Sequence, residues 1–260
     1  MKLEVRDIIE LKGQRQLVEL NVASVEQAQA AEAAGIDMIV SGNLANRAAY
    51  RAAAPQTHFT FGLKYGGPIN ADQAKREAFD ALEAGADSIY CPAGFDIIEA
   101  MSREAIPVIG HVGLIPQKAR WTGFRAVGKT AEEAFRVLED VRRYENAGAF
   151  AVEMEVVPEP IASRISAMTP LSVISMGSGG GCDVQYLFAI DVLGETEGHV
   201  PRHARRYRDL RSRYAELQQE RTDAFREFAR DVTNGSFPVA GELVSVTPDE
   251  LAKFEALIEE

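Results

Sequence analysis

With 260 residues, 46% of them hydrophobic, the chain buries a sizeable core, either as two ordinary domains or as one large α/β barrel. Its 28 Lys and Arg against 39 Asp and Glu leave a net charge of −11, an acidic balance that argues against nucleic acid or an anionic membrane as a partner. Cys91 and Cys182 are too few and too far apart for a disulfide framework, and no C-x-x-C pair suggests zinc.

The opening stretch MKLEVRDIIELKGQRQ is charged throughout and has no apolar segment of the kind a secretory signal needs, so a reducing cytoplasm is the expected location. No uncharged apolar run approaches the roughly 18 residues of a membrane helix. The first strand is expected at QLVELNV (16–22), followed by a helix that opens on Ser24 as N-cap and carries Glu26 in its first turn. Three stretches then repeat one pattern: AEAAGIDMIVSGN (31–43), LEAGADSIYCPAG (82–94) and ENAGAFAVEMEVVP (145–158). In each, an Ala-Gly step ends a helix, because Gly35, Gly85 and Gly148 accept the left-handed C′ conformation, and an apolar strand follows. Further strands are expected at THFTFGL (57–63), IPVIGHVG (106–113), TPLSVISMGSG (169–179) and QYLFAI (185–190), with helices opening on Asn70 and Thr130 between them.

About eight strands alternating with helices predict an α/β chain folded as a single (β/α)8 barrel over residues 1–200, with additional C-terminal helices over 201–260. That extension begins as a long helix over 201–231 and ends in a helix with Thr247 as N-cap and Glu250 completing a capping box. It is expected to pack on the barrel or at an oligomer edge, the whole forming one domain. Six arginines crowd residues 202–213, and a solvated face accounts for them better than an anion site does.

In such a barrel the strand C-termini carry function. Reading strand by strand gives Gly42 and Asn43, Lys64, Tyr90, His111, Glu153 and Glu155, and Ser178 in the GSGGGCD loop. An imidazole at a strand exit can donate to a ligand oxygen. Glu153 and Glu155 are two residues apart, so they share one face of an apolar strand, and burying both raises at least one pKa toward the range of a working acid or base. The glycine-rich loop resembles an anion-cradling nest but lacks the Lys-Ser/Thr of a P-loop. Cys91 and Cys182 read as buried bystanders.

The segments RDIIELKG, AGIDMIVSGN, IPVIGHVGLIPQ, AGAFAVEMEVVP, GSGGGCDVQYLFAIDVLG and TNGSFP resemble, in order, those of the 3-methyl-2-oxobutanoate hydroxymethyltransferase family. The resemblance spans Arg6 to Pro238 and includes the complete signature Gly110-His111-Val112-Gly113-Leu114-Ile115-Pro116-Gln117. It implies a (β/α)8 barrel of the phosphoenolpyruvate mutase and isocitrate lyase type, assembled as a homo-oligomer, a decamer in the family. It also implies aldol-type chemistry in which a 2-oxo acid chelated to Mg²⁺ is enolised and captures a one-carbon unit from methylenetetrahydrofolate. His111 would then bind substrate and Glu155 would shuttle protons.

The departures are concentrated on the metal. Where the family has Gly-Asp-Ser this chain has Gly42, Asn43 and Leu44; a second acidic position falls near Gly62, and Tyr90 and Pro92 stand where a Lys and a Glu are expected. Mg²⁺ requires hard oxygen ligands, so no metal site is expected here. The leading expectation is a diverged enzyme doing aldol, retro-aldol or proton-transfer chemistry on a small 2-oxo acid or related carboxylate, with Lys64 and Tyr90 replacing the metal's charge by hydrogen bonds. The alternatives are the parent activity with a rebuilt metal site, in which methylenetetrahydrofolate would take part, and a noncatalytic binder.

Overall fold

The computed structural model describes residues 2–42 and 47–259. Eight parallel strands close into a barrel in sequence order, the last pairing with the first. They are β1 (Leu17–Asn21), β2 (Met38–Ser41), β3 (His58–Gly62), β4 (Ser88–Tyr90), β5 (Val108–Gly113), β6 (Ala151–Glu155), β7 (Ser172–Met176) and β8 (Val184–Phe188). The helices of this unit are α1 (Val5–Glu10), α2 (Val25–Ala33), α3 (Arg47–Ala53), α4 (Ala71–Glu83), α5 (Phe95–Ser102), α6 (Ala119–Thr122), α7 (Ala131–Asn146), α8 (Glu159–Met168) and α9 (Ala189–Leu193).

Local chemistry explains the alternation. Ser24, Asn70 and Thr130 each accept the backbone N–H three residues on, satisfying an otherwise orphaned donor at the starts of α2, α4 and α7. Gly35, Gly85 and Gly148 take φ of +73°, +99° and +83° and turn each chain back toward the sheet. Strands β2, β3, β6 and β7 are buried along their whole length, as apolar strands between a filled interior and an outer helical layer must be. By contrast β1 alternates, and Val18 on its outer face is 41% exposed, beside a β8 whose following helix α9 is only five residues long.

Residues 1–208 form this unit, and residues 209–260 form a second. The helix expected from residue 201 begins only at Leu210, as α10 (Leu210–Asn234). The amides of Tyr207 and Arg208 both donate to the Val192 carbonyl, at 2.8 and 3.3 Å, which holds that stretch out of helical register until Asp209 caps Ser212. The last helix, α11 (Pro248–Ile258), does start on Thr247, but Glu250 turns its carboxylate to Lys253 at 2.7 Å instead of closing the expected box. Neither α10 nor α11 buries a residue. Among the described residues no helix is long and apolar enough to cross a membrane.

Candidate active site

The C-terminal rim of the barrel opens into a cavity of about 370 Å³. Glycines make it. Gly42 and Gly62 line the mouth on adjacent strands, where a β-carbon on Gly42 would sit 3.2 Å from the Gly62 carbonyl. Two more glycines bracket His111 on β5: a β-carbon on Gly110 would stand 2.4 Å from the Tyr144 ring, and Gly113, at φ +87°, passes so close to β6 that a β-carbon would meet the Glu155 carbonyl at 2.3 Å. The Gly-His-x-Gly spacing is thus a packing requirement that brings the imidazole onto β6.

Strand register completes the approach, pairing His111 with Glu153 and Gly113 with Glu155. The imidazole lies between the two carboxyls, with Glu153 Oε2 3.5 Å from Nδ1 and Glu155 Oε2 3.2 Å from Nε2. Its tautomer follows from its other partners. Nε2 is 3.0 Å from the Leu114 carbonyl, which only accepts, so Nε2 carries the proton. In the neutral imidazole Nδ1 is then the acceptor for the Tyr90 hydroxyl at 2.8 Å.

Burial sets the electrostatics. Burial first, then the neighbouring carboxyls of Glu19 and Glu155, hold Glu153 well above the usual carboxylate range. Glu19, on β1, is pushed up to about 8 by burial alone. Tyr90 is raised by burial and then by the carboxyl of Glu153, and Tyr186 is raised for the same two reasons. The Cys91 and Cys182 thiols are each pushed up to about 11, chiefly by burial, which leaves neither activated as a nucleophile.

Of the residues singled out from sequence, Gly42, Lys64, Tyr90, His111, Glu153 and Glu155 line the one cavity. Asn43 lies outside the described residues. Ser178 does not line this cavity: it is fully buried, donating to the Met154 carbonyl at 2.8 Å and accepting the Val157 amide at 3.0 Å. Both bonds make it a clasp on the end of β6. Val156, between those two bonds, takes φ +50°, a left-handed conformation that costs a β-branched residue about 1–3 kcal/mol. The Leu114 amide on the Glu155 carbonyl at 2.8 Å and the Val156 amide on the Met176 carbonyl at 2.8 Å over-determine this turn, which fixes where Glu155 points.

Sequence reasoning missed Asn21, Glu19, Tyr186 and His203. Asn21 donates to the Tyr186 hydroxyl at 3.1 Å at the cavity wall, and Tyr186 stacks on Phe188 with ring centroids 5.7 Å apart. Leu17, Glu19 and Asn21 alternate along β1, the same signal that exposed Glu153 and Glu155, and an acid in the middle of QLVELNV carried it. Half-buried His203 packs over Gly177, close enough to Glu155 to feel its charge, and nothing local in the sequence marks it.

A closed (β/α)8 barrel with a histidine–carboxyl cluster at its C-terminal rim defines a barrel enzyme. Its family is shown by comparison: the model of the ketopantoate hydroxymethyltransferase family matches residues 44–240. The 3-methyl-2-oxobutanoate hydroxymethyltransferase of Chloroflexus aurantiacus is 32% identical over 277 aligned residues, covering 97% of this chain and 96% of its own, and that of Kosmotoga olearia is 31% identical over 91% of this chain and 95% of its own. The fold is shared with 2,3-dimethylmalate lyase, a member of the PEP mutase/isocitrate lyase superfamily, at a TM-score of 0.55 and 14% identity over 98% of this chain and 97% of that one. The chain belongs to the ketopantoate hydroxymethyltransferase family.

Among the described residues, the side chains do not fit the Mg²⁺ that the family resemblance implies. Strands β2 and β3 lead out into Gly42 and end on Gly62, β4 ends on Tyr90, and the Tyr90 hydroxyl is engaged by His111. Among the described residues no three His, Cys, Asp or Glu side chains are grouped to hold a metal ion.

Proposed function

We propose that this chain catalyses proton transfer next to a carbonyl, and the aldol or retro-aldol step that such a transfer permits, on a small 2-oxo acid or related carboxylate, without a bound Mg²⁺. The observation that carries the reading is the placement of Glu155, 9% exposed on the cavity wall, 3.2 Å from a histidine whose tautomer is held by Tyr90. Glu155 takes the proton from the carbon beside the carbonyl. His111 presents its Nε2 proton beside it, where a substrate oxygen can exchange with the Leu114 carbonyl, and Lys64 at the exposed mouth meets the substrate carboxylate.

The test is deuterium exchange at C3 of 3-methyl-2-oxobutanoate in D₂O. Glu155→Gln is expected to slow exchange by about 10²–10⁴. Equal rates in the variant and the parent chain would contradict the assignment. Assembly as a homo-oligomer is also proposed, supported by the half-exposed outer face of β1 and by two C-terminal helices that bury no residue. Sedimentation velocity measures it, and a monomer at micromolar concentration would refute it.

A further inference from the structure

Proton abstraction by Glu155 leaves an enolate oxygen to be stabilised, and His111 serves it from the β5 side of the cavity. The far wall is built by β8 and β1, and β1 stands opposite β5 in this closed barrel of eight. There Tyr186, Phe188 and Asn21 line the same cavity as Glu155. Strand pairing sets Tyr186 at the level of Glu155. Glu155 pairs with Met176, and Ile174 pairs with Val184, so two residues further along β7 and β8 bring Met176 level with Tyr186. Two strand spacings, roughly 10 Å of backbone, separate Glu155 from Tyr186, and their inward side chains leave room for a small oxo acid between them.

The hydroxyl at that level is held on one side. Tyr186 is 4% exposed, its ring stacks on Phe188, and the Asn21 amide donates to its oxygen at 3.1 Å. That bond occupies a lone pair and leaves the phenol's own proton to be given elsewhere. A buried hydroxyl is costly while part of its hydrogen-bonding capacity is unmet, and the neighbouring lining residues Val40, Met176 and Phe188 bring no side-chain oxygen to it. Burial, ahead of the carboxyls of Glu153 and Glu19, keeps the phenol protonated.

We infer that Tyr186 is a further catalytic residue, whose O–H donates to the substrate's carbonyl oxygen while Glu155 takes the neighbouring proton, and that Asn21 is the positioning residue that aims it. The inference rests on the proton-transfer reading of this cleft. In the step, the C–H bond breaks and its proton goes to a Glu155 oxygen. The C–H electron pair forms the carbon–carbon double bond, and the carbonyl π pair moves onto the oxygen, which is held as an enolate by hydrogen bonds from Tyr186 and from Nε2 of His111. Neither donor gives up its proton. Fixed donors of this kind act most strongly on the charge as it appears, so they favour the enolate over the ketone.

Two measurements on the full-length protein test this. Tyr186→Phe keeps the ring and removes only the hydroxyl, and kcat for exchange at C3 of 3-methyl-2-oxobutanoate should fall by about 10²–10³ with KM within about threefold of the parent's. Asn21→Leu leaves the hydroxyl without its hold and should slow exchange about tenfold. An unchanged kcat in either variant, or a loss in Tyr186→Phe carried by KM alone, overturns the inference. The second measurement needs no turnover. Oxalate is a planar dianion whose oxygens are placed as in the enolate of a 2-oxo acid, and isothermal titration should show Tyr186→Phe weakening oxalate at least about tenfold but 3-methyl-2-oxobutanoate less than about threefold. Equal losses for both ligands, oxalate held alike by variant and parent, or no oxalate binding by the parent overturns it as well. Should the parent chain bind oxalate yet show no exchange, the proton-transfer reading fails, and the titration alone decides on Tyr186 as the donor.

Discussion

The Tyr90 hydroxyl lies 2.8 Å from Nδ1 of His111, and with Leu114 holding Nε2 this bond selects the Nε2–H tautomer of the neutral imidazole, facing Glu155. Replacing Tyr90 with Phe removes the donor and leaves Nδ1 without its proton-bearing partner. Exchange at the substrate carbon should slow about tenfold, the worth of one neutral hydrogen bond, with ¹⁵N spectra reporting a mixed His111 tautomer. An unchanged tautomer would remove Tyr90 from the machinery.

Ser178→Ala leaves the Met154 carbonyl and the Val157 amide without their shared hydroxyl. Denaturant unfolding should register a loss of about 1–3 kcal/mol, and the turn through Val156 should loosen enough to slow exchange. Full stability in the variant would mean the clasp is idle.

Gly110→Ala forces a β-carbon to within 2.4 Å of the Tyr144 ring. Overpacking of this kind costs roughly 1–3 kcal/mol. Thermal unfolding checks it: a midpoint equal to the parent's would show that the ring moves aside freely.

Glu19 gives stability a pH dependence whose sign can be worked out. Its folded-state pKa is raised by burial from the ordinary 4.5 to about 8, so between these values the folded chain holds a proton that the unfolded chain has released. Stability is therefore full below the unfolded value and falls as pH rises to about 8, by about 1.4 kcal/mol per pH unit for one group. Glu19→Gln should lessen that slope in chemical denaturation from pH 5 to 8, leaving the part that buried Glu153 contributes with the same sign, and be more stable than the parent at pH 8. A parent chain whose stability rises over this range would contradict the burial of an unpartnered acid.

Much of this architecture was legible from short-range chemistry. Caps at Ser24, Asn70 and Thr130 and left-handed glycines at 35, 85 and 148 act within one turn of chain, so sequence alone marks them. Period-two alternation likewise placed Glu153 and Glu155 on one inner face. What escaped depends on distant partners. Ser178 looks like a loop hydroxyl in an anion nest until β6 supplies the Met154 carbonyl that it binds, and the start of α10 is delayed by Val192, eighteen residues upstream of Leu210. Glu19 went unremarked because its lack of a hydrogen-bond partner depends on what the closed barrel packs around β1.

The central claim is that this barrel moves a proton without Mg²⁺, and the metal dependence of carbon-bound deuterium exchange tests it most directly. Chelator-stripped full-length protein would be incubated in D₂O with 3-methyl-2-oxobutanoate and the C3 proton followed by NMR, with and without added Mg²⁺. Exchange by the stripped protein at a rate that Mg²⁺ leaves unchanged is the predicted result. Exchange that appears only when Mg²⁺ is added would contradict it and mean that the cleft recruits a metal after all.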